Sequence, residues 1–178
     1  MFRAPAVTLR FRSRRLRLVG ELPVVLGREG VFPLRGPGIS RRHASLDRRG
    51  ATLVVSDLDS RNGTSVDGLL LESPLLLGGA ARVGLGENLH LRVTLEGEDW
   101  LRLEVLDGME RGLRGYAGRG QLELADLPAA FGFHEDYPTL TPRTEAVSKL
   151  NGRDVVTPME LLEGDVIELD GVRVEVER

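Results

Sequence analysis

Glycine and proline interrupt this 178-residue chain so often that no long helix fits into it. There are 22 Gly and 9 Pro, and the longest stretch free of both runs from Ala6 to Val19, 14 residues. Even that stretch alternates. Val7, Leu9 and Phe11 are apolar, while Thr8, Arg10 and Arg12 are not. Period-two alternation puts one face into a core and the other into water, as in an antiparallel strand. The pattern returns at Leu16/Leu18, Leu53/Val55, Leu89/Leu91/Val93/Leu95, Leu101/Leu103/Val105, Ile167/Leu169 and Val172/Val174/Val176. Many short alternating segments separated by turn residues predict an all-β chain built as antiparallel sandwiches.

Two stretches carry residues suited to holding an anionic peptide. One begins at Gly27-Arg28 and continues to Ser40-Arg41-Arg42-His43; the other is Ser60-Arg61-Asn62-Gly63-Thr64. Arg28 offers a planar fork of donors that can hold a phosphate bidentately. Ser40 adds a hydroxyl and Arg41 a second cation. Asn62 can both donate to and accept from a peptide backbone. Gly27 and Gly63 let the main chain turn sharply beside each set. In this order, with strand-like segments between, the pieces resemble the forkhead-associated (FHA) domain, a module that reads phosphothreonine. The resemblance covers roughly residues 7 to 95.

The resemblance implies a rigid sandwich whose loops at one end bind the ligand. A phosphothreonine brings about −1.5 to −2 charges and three strong acceptor oxygens. Arg28 and Ser40 would bind the phosphate, Arg41 would help through its backbone amide and charge, and Arg61 would add a third cation. Asn62 would hold the peptide main chain, and His43 would be a buried brace for the loop carrying Ser40. Ser40, His43 and Asp57 can also be drawn as nucleophile, base and orienter. A Ser three residues before a His on one loop is poor geometry for that, and nothing marks an oxyanion hole or a nucleophile elbow. The chain therefore reads as a non-enzymatic adaptor in Ser/Thr-kinase signalling, with no cofactor and no metal. The alternatives from other classes are a structural adaptor for an unphosphorylated partner and an Arg-mediated nucleic-acid binder.

A shift of 84 residues pairs Val66-Asp67-Gly68 with Leu150-Asn151-Gly152, Ser73-Pro74 with Thr157-Pro158, Leu77 with Leu161, and Val83 and Leu85 with Ile167 and Leu169. This is the closing part of an FHA-like unit, occurring twice. The same shift lands Ser60 to Thr64 on Thr144, Glu145, Ala146, Val147 and Ser148, so the Asn-Gly is gone. Gly118-Arg119 is the candidate counterpart of Gly27-Arg28. The expected organisation is an FHA domain over residues 1–97 and a degenerate FHA-like domain over 98–178, or else an unrelated small β domain there.

Charge supports a division near the middle. Residues 1–97 hold 15 Arg against 9 acidic residues, a net of +6, whereas residues 98–178 hold 9 basic against 18 acidic, a net of −9. The split suggests either two units with different work or two solvated surfaces of opposite sign that pack on each other. Arg10, Arg12, Arg14, Arg15 and Arg17 fall within eight residues. They alternate with apolar positions, so a solvated strand face is preferred over a nucleic-acid surface. The absence of cysteine excludes disulfides and thiolate chemistry. Gly or charged residues break every apolar run, so no membrane span and a cytoplasmic setting are expected.

Overall fold

The computed structural model describes residues 5–143 and 146–177. Among them there is no helix, and so none long and apolar enough to cross a membrane. The chain enters on a hairpin, β1 (Ala6–Phe11) and β2 (Arg14–Val19). There follow β3 (Val24–Gly27), β4 (Phe32–Pro33), β5 (Ala44–Arg49), β6 (Thr52–Asp57), β7 (Thr64–Val66), β8 (Leu69–Leu70), β9 (Leu75–Gly78), β10 (Ala81–Leu85), β11 (Leu89–Glu96), β12 (Trp100–Val105) and β13 (Arg114–Gly118). The last part carries β14 (Gln121–Glu123), β15 (Ala129–His134), β16 (Tyr137–Pro142), β17 (Ser148–Leu150), β18 (Arg153–Asp154), β19 (Met159–Glu160), β20 (Val166–Leu169) and β21 (Val172–Glu177). Every alternating segment read from the sequence is a strand. In β11, Leu89, Leu91 and Val93 are buried while His90, Arg92 and Thr94 are not.

The chain divides into two compact units. Residues 21–118 form a central unit, and residues 1–20 with 119 onward form a terminal unit. The central unit has one sheet in the order β13-β12-β11-β10-β7-β8 and a second in the order β4-β3-β5-β6-β9. Its core draws Leu26, Phe32, Leu46, Leu53 and Val55 from one sheet and Val83, Leu91, Leu101 and Leu103 from the other. The terminal unit repeats the plan with β2-β1-β21-β20-β17-β18 and β14-β15-β16-β19. Both are β-sandwiches of antiparallel strands, apart from the parallel pair β3–β4 in the central unit.

These units do not divide at Gly97, where the sequence reading placed a boundary. The reason lies in strand pairing, which is not bound to sequence order. Strand β12 continues the meander from β11, pairing Leu91 with Val105 and Glu96 with Trp100. Arg48 fastens that turn by donating to the carbonyls of Glu96, Gly97 and Trp100 at 2.7–3.0 Å. Hairpin β1–β2 instead pairs with β21, Arg10 facing Glu175 and Thr8 facing Glu177. Each sandwich thus completes its sheet with the hairpin that sequence order would have assigned to the other.

The charge asymmetry dissolves in the same step. Counted by unit, residues 21–118 hold 12 basic against 14 acidic residues, a net of −2, and the remainder holds 12 against 13, a net of −1. Four of the five N-terminal arginines are partnered inside the terminal unit. Arg10 pairs with Glu175 and Glu177, Arg15 with Glu177 and Arg14 with Asp126. Arg17 donates to Thr8 Oγ1.

The 84-residue repeat returns as a shared ladder. Val83 pairs with Val66 and Leu85 with Thr64 in the central unit; Ile167 pairs with Leu150 and Leu169 with Ser148 in the terminal one. The hairpin turns match too. Asp67 and Asn151 sit at φ 50° and 51°, each donating its amide to the carbonyl of Arg82 or Val166 at 2.8 Å and accepting that residue's amide at 2.9 Å. A short polar side chain tolerates this left-handed geometry.

Candidate phosphopeptide site

At one end of the central unit, the β3–β4 turn, the segment before β5 and the β6–β7 loop meet. Arg28 N–H donates to the Ser40 carbonyl at 3.1 Å, and Glu29 N–H to the Arg41 carbonyl at 2.9 Å. This close approach needs Gly27. It sits at φ 144°, and a Cβ there would lie 2.5 Å from the Arg41 carbonyl oxygen and 2.7 Å from that of Ser40. Backbone atoms at that distance cannot yield cheaply.

His43 ties the loops together from beneath. It is fully buried; its Nδ1 accepts from Ser40 N–H at 3.1 Å and its Nε2 donates to the Gly63 carbonyl at 2.9 Å. The amide donor at Nδ1 fixes the ring as the Nε2–H tautomer. A base with both nitrogens engaged by backbone cannot also serve a nucleophile, so no triad forms with Ser40. Ser40 Oγ accepts from Arg61 N–H at 3.0 Å, which aims the hydroxyl and leaves its proton to donate. Asn62 Nδ2 donates to the Gly38 carbonyl at 2.8 Å, while its carbonyl oxygen has no hydrogen bond among the described residues.

Asp57 organises the β6–β7 loop. It accepts from Ser60 N–H at 2.9 Å, Ser60 Oγ at 2.6 Å and Thr64 Oγ1 at 2.5 Å. Burial raises its pKa, but these hydrogen bonds outweigh burial and hold the carboxyl below its ordinary value of 3.8. A depressed folded-state pKa contributes stability that is complete above the unfolded value and fades as pH falls through the folded one. Asp57→Asn should therefore flatten the loss of stability below about pH 4 relative to the unchanged protein. Urea unfolding from pH 2 to 6 checks this; parallel curves for the two proteins would refute it.

Arg28, Glu29, Ser40, Arg41 and Arg42 line an open cleft of about 490 Å³. Arg28, Arg41, Arg42 and Arg61 are exposed and make no side-chain hydrogen bond or ion pair among the described residues. Arg61 and Asn62 adjoin this cleft through the Ser40 contact and do not line it. Arg42 and Glu29 were not singled out in the sequence. Their only signal there is adjacency to Arg41 and Arg28. Among the described residues no group of His, Asp and Glu could hold a metal ion.

The terminal unit lacks the loop that forms this cleft. Val25 pairs with Ser45 across 19 intervening residues, which include Arg28, Ser40, Arg41 and His43. Its counterpart, Glu123 paired with Ala130, encloses six. Strand β14, which occupies the place of β3, begins after Gly118-Arg119, so those two residues are not the equivalents of Gly27-Arg28. Of the residues matching Ser60 to Thr64, Thr144 and Glu145 lie outside the described residues. Ser148, matching Thr64, has a buried hydroxyl with no partner among the described residues.

No curated protein matches the chain. Among solved structures, it is similar to the FhaA FHA domain complexed with the intracellular domain of Rv3910, at 29% identity and a TM-score of 0.35, over 45% of this chain and 91% of that one. It is also similar to the FHA domain of CT664 from Chlamydia trachomatis, at 24% identity and a TM-score of 0.40, over 51% and 99%. A third is Mycobacterium tuberculosis EmbR in complex with a low-affinity phosphopeptide, at 22% identity and a TM-score of 0.38, over 52% and 24%. The family model described as FHA domain matches residues 24–86, a span that includes every residue from Gly27 to Gly63 described above, and the protein thus carries an FHA domain within its central unit.

Proposed function

We propose that the central unit binds phosphothreonine segments of a protein partner and that the chain performs no chemistry of its own. The carrying observation is a cleft lined by Arg28, Arg41 and Ser40, in which the two guanidiniums have no carboxylate partner among the described residues and the Ser40 oxygen accepts from Arg61 N–H, leaving its proton to donate. Unpaired guanidiniums beside a fixed hydroxyl suit a dianion that accepts from all of them. In this reading Arg28 and Ser40 hold the phosphate, Arg41 and Arg61 add charge, and Asn62 offers its open carbonyl oxygen to the peptide main chain. Gly27, His43 and Gly63 hold the loops in place. The partner is a product of a Ser/Thr kinase, and the setting is cytoplasmic, in keeping with a chain that has no cysteine. The terminal unit is a degenerate FHA-like copy, a reading supported by the shared ladder and the missing loop. Its work is scaffolding or regulation.

Titration of matched peptides carrying Thr, phosphoserine or phosphothreonine tests the reading. Phosphothreonine should bind and unmodified Thr should not. Phosphoserine lacks one methyl, which costs about 10–200-fold where that methyl is seated. Equal binding of the modified and unmodified Thr peptides would discard the phosphate role.

A further inference from the structure

We propose that the leucine-rich edge formed by β8 and β9 is a second docking surface, one that takes an apolar stretch of the same phosphorylated partner. The inference rests on the phosphopeptide reading above and adds the class of sequence that must flank the phosphothreonine. Leu69, Leu70 and Leu76 are 76%, 66% and 60% exposed, and Leu75 is exposed beside them. Strand β9 ends its sheet, and β8 ends the other sheet of the same sandwich. From Leu69 to Gly78 the only charged residue is Glu72.

Edge strands are ordinarily guarded by charge, because their free N–H and C=O groups template pairing with another chain. The terminal unit shows what this fold uses when the edge is guarded. At the same ladder positions, Leu69, Leu70, Leu75 and Leu76 give way to Arg153, Asp154, Met159 and Glu160. The register is identical, Val66 with Leu69 in one unit and Leu150 with Arg153 in the other. The sandwich therefore does not require leucine there. The all-leucine edge belongs to the unit with the arginine-lined cleft; in the copy without the cleft Met159 stays apolar and exposed, and charge takes the other three positions.

The edge is continuous with the loop beside the cleft. Leu70 Cδ1 lies 2.6 Å from where a Cβ on Gly63 would stand, so its side chain packs on the backbone next to Asn62. An extended chain advances about 3.3 Å per residue, so a peptide held at Asn62 reaches the leucines within a few residues. Strand addition would supply main-chain hydrogen bonds, and the exposed leucines would select apolar side chains.

The test uses the full chain and phosphothreonine peptides that differ only in their flanks. One carries six Val/Leu residues before the phosphothreonine, one carries them after it, and one has Ser and Gly on both sides. One apolar-flanked peptide should bind at least tenfold tighter than the polar one, about 1.4 kcal/mol. Leu69→Arg with Leu76→Glu, which installs the terminal unit's residues, should erase that difference and keep the affinity for the polar peptide. Leu76→Glu alone should reduce it, and retained binding of the polar peptide reports that each variant is folded. Equal affinity of the unchanged protein for all three peptides overturns the inference and leaves the phosphate reading standing. So does a dimer in sedimentation that Leu76→Glu dissociates, since a second copy then owns the edge. Binding of all three that survives removal of the phosphate group overturns the phosphate reading and this inference with it.

Discussion

Arg28→Ala should lose phosphothreonine-peptide affinity by roughly 30-fold to several thousand-fold while the fold is untouched. Truncating one partner of a desolvated, hydrogen-bonded charge pair costs about 2–5 kcal/mol, and each 1.4 kcal/mol or so is tenfold. The fold should be spared because the Arg28 side chain is exposed and makes no hydrogen bond or ion pair among the described residues. Its structural bond, from the amide to the Ser40 carbonyl, persists in alanine. Arg28→Lys should fall between, since an ammonium keeps the charge and gives up the bidentate fork. A thermal melt and a peptide titration on the same samples decide the matter. A folded alanine variant with unchanged affinity would remove Arg28 from the site.

The same contrast separates what the sequence made legible from what it hid. Local periodicity was enough for the strands: Val7, Leu9 and Phe11 alternate, and they form β1 with all three side chains buried. The 84-residue repeat was legible because an Asp-Gly or Asn-Gly turn fixes the register of the hairpin that carries it, and the two ladders agree pair for pair. The cleft was legible in part, because Arg28, Ser40 and Arg41 are residue types chosen for an anion. The bracing by Asp57 was legible in part: an aspartate just before the Ser60 loop reads as a turn-setting residue that bonds to nearby backbone, as it does to Ser60 N–H, whereas the bonds from the Ser60 and Thr64 hydroxyls are a matter of loop geometry. The pairing of β1 with β21 was hidden most deeply. It joins residues 165 apart, Arg10 and Glu175, and nothing local distinguishes that partner from β11. The net charges of the two halves pointed to surfaces of opposite sign, yet Arg10 is matched to Glu175 and Glu177 one strand away.

Removing β12 and β13 should have the largest effect on the central unit. A chain ending at residue 97 loses Trp100, Leu101, Leu103 and Val105, each at most 2% exposed, and with them the Trp100 carbonyl that Arg48 holds. Burying such a side chain is worth about 1.5–3 kcal/mol, so four of them approach the whole stability of a domain, about 5–15 kcal/mol. Residues 21–118 should therefore fold cooperatively and keep the phosphopeptide affinity of the full chain, whereas residues 1–97 should show no cooperative transition in urea. The comparison is sharp because 1–97 retains every site residue, from Gly27 to Gly63, and also carries a hairpin. That hairpin presents Val7, Leu9, Phe11, Leu16 and Leu18 to a core, as β12 and β13 present theirs. If 1–97 unfolds with the stability of 21–118 and binds as tightly, β1–β2 has taken the place of β12–β13 beside β11. The two hairpins would then be interchangeable, and the boundary of the FHA domain would lie near Gly97. Failure of 1–97 alongside a stable 21–118 means that the partner of β11 is set by the particular side chains of β12, above all the indole of Trp100, over which Gly118 passes so closely that a Cβ would lie 2.8 Å from the ring.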